Sequence, residues 1–98
     1  MRYRYLTVAE LDQIEAVSYY ESQEPGLGAE FIEELDQTVW RILDHPYAGS
    51  PGPRNTRSGQ MERFPYSVIY RIDRNEVLIV ALQHHSRDPR RWQDRIFE

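Results

Sequence analysis

The chain predicts an α+β fold, and three features carry that prediction. Residues 27–44 hold an apolar stripe at helical spacing, the stretch after Met61 alternates as strands around a tight turn, and Asp88-Pro89 opens a short helix near the end. The expected order is β-α-α-β-β-β with a short C-terminal helix, a single domain over residues 1–98, its helices on one face of an antiparallel sheet.

Arg2-Tyr-Arg-Tyr-Leu6 alternates and predicts a short first strand. Thr7 followed by Glu10 has the spacing of a capping box, so a first helix is expected from about residue 8 to residue 22. Its apolar pattern is divided between Leu11, Ile14 and Val17 on one stripe and Ala9, Ala16 and Tyr20 on another. Pro25-Gly26 ends it. In the second helix Phe31, Ile32, Leu35, Val39, Ile42 and Leu43 share one arc, with Glu33, Glu34, Gln37 and Arg41 opposite.

Pro46 stops that helix, and residues 46–59, with three prolines and three glycines, are expected to be a loop. Strands are predicted at 61–64, 67–73 and 77–84. Arg74-Asn75 makes the hairpin turn, with Asn75 suited to positive φ. The last strand is apolar on both faces, which places it centrally in the sheet. Asp88 and Pro89 then give a cap and a first-turn proline, followed by a turn or two with Trp92 and Ile96 on one side.

Ninety-eight residues should bury roughly 65% of the surface of the unfolded chain, enough for one modest core. The absence of cysteine excludes disulfides, thiolate nucleophiles and cysteine zinc sites. No apolar run reaches the ~20 residues of a membrane span, so no membrane association is expected and a cytoplasmic location is. Charge is uneven: residues 1–49 carry three arginines against ten acids (3 − 10 = −7), and residues 50–98 nine against six (9 − 6 = +3). Lysine is absent. An arginine-only basic half suits phosphate or carboxylate recognition, although codon bias would produce the same composition.

No phosphate loop, dinucleotide fingerprint or His-Glu-x-x-His motif is present, and no cofactor or metal is expected. His84 and His85, adjacent on a strand, point to opposite faces and cannot share a metal. What survives is a candidate anion-binding rim of Arg87, Arg90, Arg91, Arg95 and Trp92 after the last strand. His84 or His85 stands beside it, with Arg63, Tyr66 and Tyr70 on preceding strands. Cleaving RNA needs a base, an acid and cations at the developing phosphorane, and Arg87, Arg63, Tyr70 and His84 are the candidates for those roles. Each has a structural alternative: Tyr66 and Tyr70 as core aromatics, Arg90 paired with Asp94, Trp92 as packing, His84 as a capped core residue. Arg87 has no local acid in the sequence except Asp88.

The chain resembles the RelE/ParE family of toxins from bacterial type II toxin–antitoxin systems, on its ParE-like branch. The resemblance rests on Tyr19-Tyr20-Glu21, Gly26-Leu27-Gly28 with Phe31, Pro46, Phe64-Pro65-Tyr66 with Val68 and Tyr70, and His84-x-x-Arg87-x-Pro89-x-x-Trp92. It implies a two-helix hairpin packed on one face of a small curved antiparallel sheet. It also implies a cognate antitoxin, a toxin–antitoxin hetero-oligomer, and growth inhibition relieved by that antitoxin. RelE-like members cut messenger RNA on the ribosome; ParE-like members poison DNA gyrase without established catalytic residues. The lack of lysine, the acidic net charge and Ser67 after the third-strand tyrosine favour the non-enzymatic, gyrase-directed reading. A ribosome-dependent endoribonuclease and a non-toxic antitoxin-binding domain are the alternatives.

Overall fold

The computed structural model describes the backbone of residues 1–97 and the side chains of residues 1–95, so the Ile96 side chain, expected beside Trp92, lies outside the described residues. The elements are β1 (Arg2–Tyr5), α1 (Thr7–Gln23), α2 (Leu27–Asp44), β2 (Ser50–Gly52), β3 (Thr56–Gln60), β4 (Tyr66–Asp73), β5 (Glu76–His84) and α3 (Arg90–Gln93). A short 3-10 turn over Pro53–Asn55 joins β2 to β3, and another over Asp94–Phe97 follows α3. The strands form one sheet in the order β1-β5-β4-β3-β2. The two-helix, one-sheet α+β architecture is the expected one.

Several details differ from the sequence reading. The sheet is mixed: β2 to β5 form an antiparallel meander, but β1 runs parallel to β5, pairing Arg2 with Glu76 through Tyr5 with Ile79. The helical hairpin between β1 and the meander brings β1 back to the sheet edge in that sense. Residues 50–60 hold β2 and β3 rather than a loop, because pairing with β4 supplies the order that Ser58 and Gly59 lack locally. Met61 and Phe64 are buried, yet they sit in a bend rather than a strand, closed by Met61 N–H to Tyr66 O at 3.0 Å and Tyr66 N–H to Phe64 O at 2.8 Å. In the β4–β5 turn Arg74, not Asn75, takes the positive φ, at 59°.

No capping box forms at α1. Leu6 is its N-cap, without a side-chain hydrogen bond; the Leu6 amide continues the ladder to Ile79 O at 2.9 Å, and its carbonyl accepts from Ala9 and Glu10. At α2 the cap comes from the neighbouring helix. The Glu21 carboxylate accepts from the amides of Gly26 (3.0 and 3.1 Å) and Gly28 (3.0 Å), a negative charge at a helix start. Gly26, at φ 91°, makes the reversal between the helices.

The core lies between α1–α2 and the sheet. Phe31, Leu35, Val39 and Ile42 pack with Val68, Tyr70, Ile79 and Leu82, all buried. An extra residue in β5 between Ala81 and Ile79, opposite Ile69 and Tyr70, moves Val80 to the other face. Val80 there joins Ile69, Ala81 and Trp92 in a second cluster. Aromatic rings link the separate motifs: Tyr20 stacks on Phe31 at 5.5 Å, Phe64 meets both edge-on at 4.8 and 5.1 Å, and Tyr66 lies 5.3 Å from Phe31. Each such pair contributes about 0.5–1.5 kcal/mol beyond area burial.

Candidate functional site

The end of β5, the turn after it and the outer side of α1 enclose an open cleft of about 270 Å³ lined by Glu15, Tyr19, Tyr66, His84, Ser86 and Arg87. Tyr66 carries the aromatic core to its wall, 5.0 Å edge-on from the His84 ring. The turn is fixed by several hydrogen bonds. Arg87 N–H donates to His84 O at 3.1 Å, and the Gln83 amide donates to both His84 O and Arg87 O at 2.9 Å. His85 N–H is held by Pro65 O at 2.9 Å.

The Ser86 amide donates to His84 Nδ1 at 3.0 Å. A backbone N–H can only donate, so Nδ1 is the acceptor and the neutral ring carries its proton on Nε2. Burial raises the pKa of Tyr66, with Tyr20 adding to the effect and the Arg87 charge opposing it. Tyr66 therefore keeps its proton at neutral pH and is suited to donate rather than to act as a base.

Arg87 does have an acid. Glu15 reaches across from α1 to place Oε1 2.6 Å from its guanidinium, with side chains 56% and 44% exposed respectively. Hydrogen bonding to Glu15 raises the Arg87 pKa further above its already high value. Asp12, Glu15 and Tyr19 recur at three- and four-residue spacing, one stripe of α1. That spacing was the available signal for Glu15, obscured because its partner Arg87 lies far along the chain.

Of the candidate residues, His84 and Arg87 share this cleft. Tyr70 lines a different cavity, with Arg41, His45 and Gly49 among its walls, and its hydroxyl donates to Pro46 O at 2.7 Å. Arg63 stands in an acidic surface recess with Glu30, Glu33 and Glu34, paired to Glu30 at 2.8 Å. The bend it occupies is tied to α2 by Glu34, which accepts from the Arg63 amide at 2.8 Å. Arg90 is bound by Asp88 at 2.7 Å, in place of the expected Asp94, and Arg91 is exposed on α3. Arg95 turns inward to Asp12, and Trp92 is buried against Ile69, Val80 and Ala81. His85 lies on the outer face, its Nε2 3.1 Å from Ser67 Oγ and 3.0 Å from Gln60 Oε1. Among the described residues no group of three or more histidine, cysteine or acidic side chains could hold a metal ion. No described helix is long and apolar enough to cross a membrane.

A two-helix hairpin on a five-stranded mixed sheet, with a cleft where the last strand ends, is the class of domain these elements define. The sequence profile of the family described as ParE toxin of type II toxin-antitoxin system, parDE, matches residues 3–89, and the chain belongs to that family. It is 27% identical over 90 residues to "Putative toxin Y4kP" of Sinorhizobium fredii, covering 91% of this chain and 92% of that one. Its fold is similar to a chain of the solved structure "Chromosomal ParDE TA system from P. aeruginosa", with a TM-score of 0.75 at 18% identity, covering 86% of this chain and 95% of that chain.

Proposed function

We propose that this chain is the growth-inhibiting half of a type II toxin–antitoxin module, that a cognate antitoxin relieves the inhibition, and that its target is DNA gyrase, engaged by binding rather than by chemistry. The match to the ParE family over residues 3–89 carries the toxin role. What favours binding over RNA cleavage is the scatter of the candidate groups: Tyr70 and Arg63 line other cavities than His84 and Arg87. Cleavage by 2′-hydroxyl attack requires its acid, base and cations around one phosphorus atom. Arg87 is the proposed target contact, with Arg90 and Arg91 exposed at the start of α3 just after it in the chain.

Induced expression, with and without the adjacent antitoxin gene, tests the proposal. The expected result is growth arrest with double-strand breaks and intact messenger RNA, relieved by co-expression. Arg87→Ala should abolish arrest while leaving folding intact, since an exposed ion pair contributes about 0–1 kcal/mol. Codon-spaced cuts in translated messages, absent in Arg87→Ala, would overturn the gyrase assignment.

A further inference from the structure

The cleft at the end of β5 already holds an anion, and it is the protein's own. Glu15 Oε1 lies 2.6 Å from the Arg87 guanidinium, yet both side chains are about half exposed. A pair so exposed adds little stability, because screening and side-chain entropy offset its attraction. The same weakness makes it easy to exchange. The turn behind Arg87 is held by Gln83, His84 and Pro65, so the guanidinium is presented on a fixed base whichever anion it meets.

We infer that this cleft is a seat for a single carboxylate of a partner polypeptide, and that Glu15 fills the seat in the free chain and must be displaced for the partner to bind. The inference rests on the reading of Arg87 as a contact residue. One guanidinium serves the seat, with Tyr66 and the His84 ring forming its aromatic wall and Tyr19 at its rim. Charge around it selects the ligand. The α1 side of the cleft carries Glu15, with Asp12 one turn behind it already paired to Arg95, and α1 has no basic residue; the whole chain is −4. A nucleic-acid backbone would bring a run of phosphates past those acids, whereas one aspartate or glutamate side chain replaces the Glu15 carboxylate charge for charge.

The test titrates the full isotope-labelled chain, following the Arg87 Nε–H and His84 ring signals by NMR. The probes are N-acetyl-glutamic acid amide and, separately, inorganic phosphate. The expected outcome is saturable binding of the glutamate probe, about two- to fivefold tighter in Glu15→Gln than in wild type, the factor that losing one exposed competitor supplies. Glu15→Asp, with a shorter reach, should fall between them and serves if Glu15→Gln folds poorly. Arg87→Ala should lose saturation. Equal affinity in wild type and both Glu15 variants would overturn the displacement. No saturable shift in any of them would overturn the seat, and phosphate binding more tightly than the glutamate probe would replace a carboxylate ligand by a phosphate. A chain that arrests growth but shows no saturable shift refutes this inference alone; saturable binding without growth arrest refutes the proposed function alone.

Discussion

The Arg95 guanidinium and the Asp12 carboxylate meet in a two-pronged ion pair, at 2.7 and 3.2 Å, with side chains only 15% and 8% exposed. The pair stands where β1 stops covering β5. Through Ile79 the free side of β5 is bonded to β1 and Leu6. Beyond it, Asp12 accepts from Leu82 N–H at 3.1 Å, and Arg95 donates to Val80 O at 3.3 Å. Two side chains thus do for Val80 and Leu82 what a longer β1 would have done, and they fasten the C-terminal turn to α1.

Removing Arg95 leaves the largely buried Asp12 carboxylate without its counter-charge, with the Leu82 N–H as its remaining donor. Arg95→Ala is expected to cost about 3–5 kcal/mol, the range for breaking a buried ion pair, and to expose the α3 region to proteolysis. Urea unfolding checks the first part. A loss under about 1 kcal/mol would mean that Arg95 is a surface cation after all, free to serve on the rim.

Gly26, between the helices, and Gly28, in the first turn of α2, should respond differently to alanine. A Cβ at Gly28 would stand 3.0 Å from both Glu21 Oε1 and Val17 O, and the latter is backbone of the packed neighbour helix. Alanine is favoured over glycine in helices by about 1 kcal/mol, but overpacking costs about 1–3. Gly28→Ala should therefore be net destabilising and should weaken the Glu21 cap. At Gly26 a Cβ meets nothing within 4 Å, and only the φ of 91° opposes it. Gly26→Ala should cost about 1–2 kcal/mol through left-handed strain, without disturbing the Glu21 contact to Gly28. Thermal unfolding with NMR of the Gly28 amide separates the two mechanisms.

What the sequence made legible follows physical range. α2 was readable to its ends because Phe31, Leu35, Val39 and Ile42 face a single core and Pro46 cuts it short. β3 was not, since Thr56-Arg-Ser-Gly-Gln60 has no strand preference of its own and is ordered by β4. The bulge at Val80 reversed the facing of half a strand, which alternation alone cannot reveal. At the cleft, Arg87 and His84 were visible as residues following a strand. Glu15 and Asp12 were hidden, because their partners lie about seventy or more residues away, as with Leu82 and Asp12 (|i−j| = 70). Proximity across the fold made a rim of four arginines into one cleft arginine, two exposed ones and one half-buried latch.

The start of α3 carries a pH dependence whose sign is fixed. Asp88 has a lowered pKa, chiefly from the Arg90 side chain and then from the Arg90 amide, which donates to Oδ1 at 2.9 Å. A group whose folded pKa is depressed stabilises above its unfolded pKa and loses that contribution as pH falls through the folded value. The Arg90 amide signal should therefore stay constant above pH about 5 and move with a midpoint below about 3.9, the ordinary aspartate value. Asp88→Asn should remove the transition. A midpoint at or above 3.9 would show that the Arg90 contacts do not persist in solution.

Trp92 presents a test of packing against hydrogen bonding. It is 3% exposed against Ile69, Val80 and Ala81, and its Nε1 has no hydrogen-bond partner among the described residues. Truncation to alanine removes the ring that covers the outer face of β4 and β5 and should cost about 3–5 kcal/mol. Phenylalanine keeps most of the contact and deletes a buried N–H, whose unsatisfied cost is about 1–3 kcal/mol. The smaller ring loses packing of similar size, so the two effects nearly cancel. Trp92→Phe is expected within about 1.5 kcal/mol of wild type, far from the alanine variant, with growth arrest retained. If phenylalanine proves as costly as alanine in urea unfolding, the indole N–H makes a bond that stabilises the fold, and Trp92 is more than a cover for the sheet.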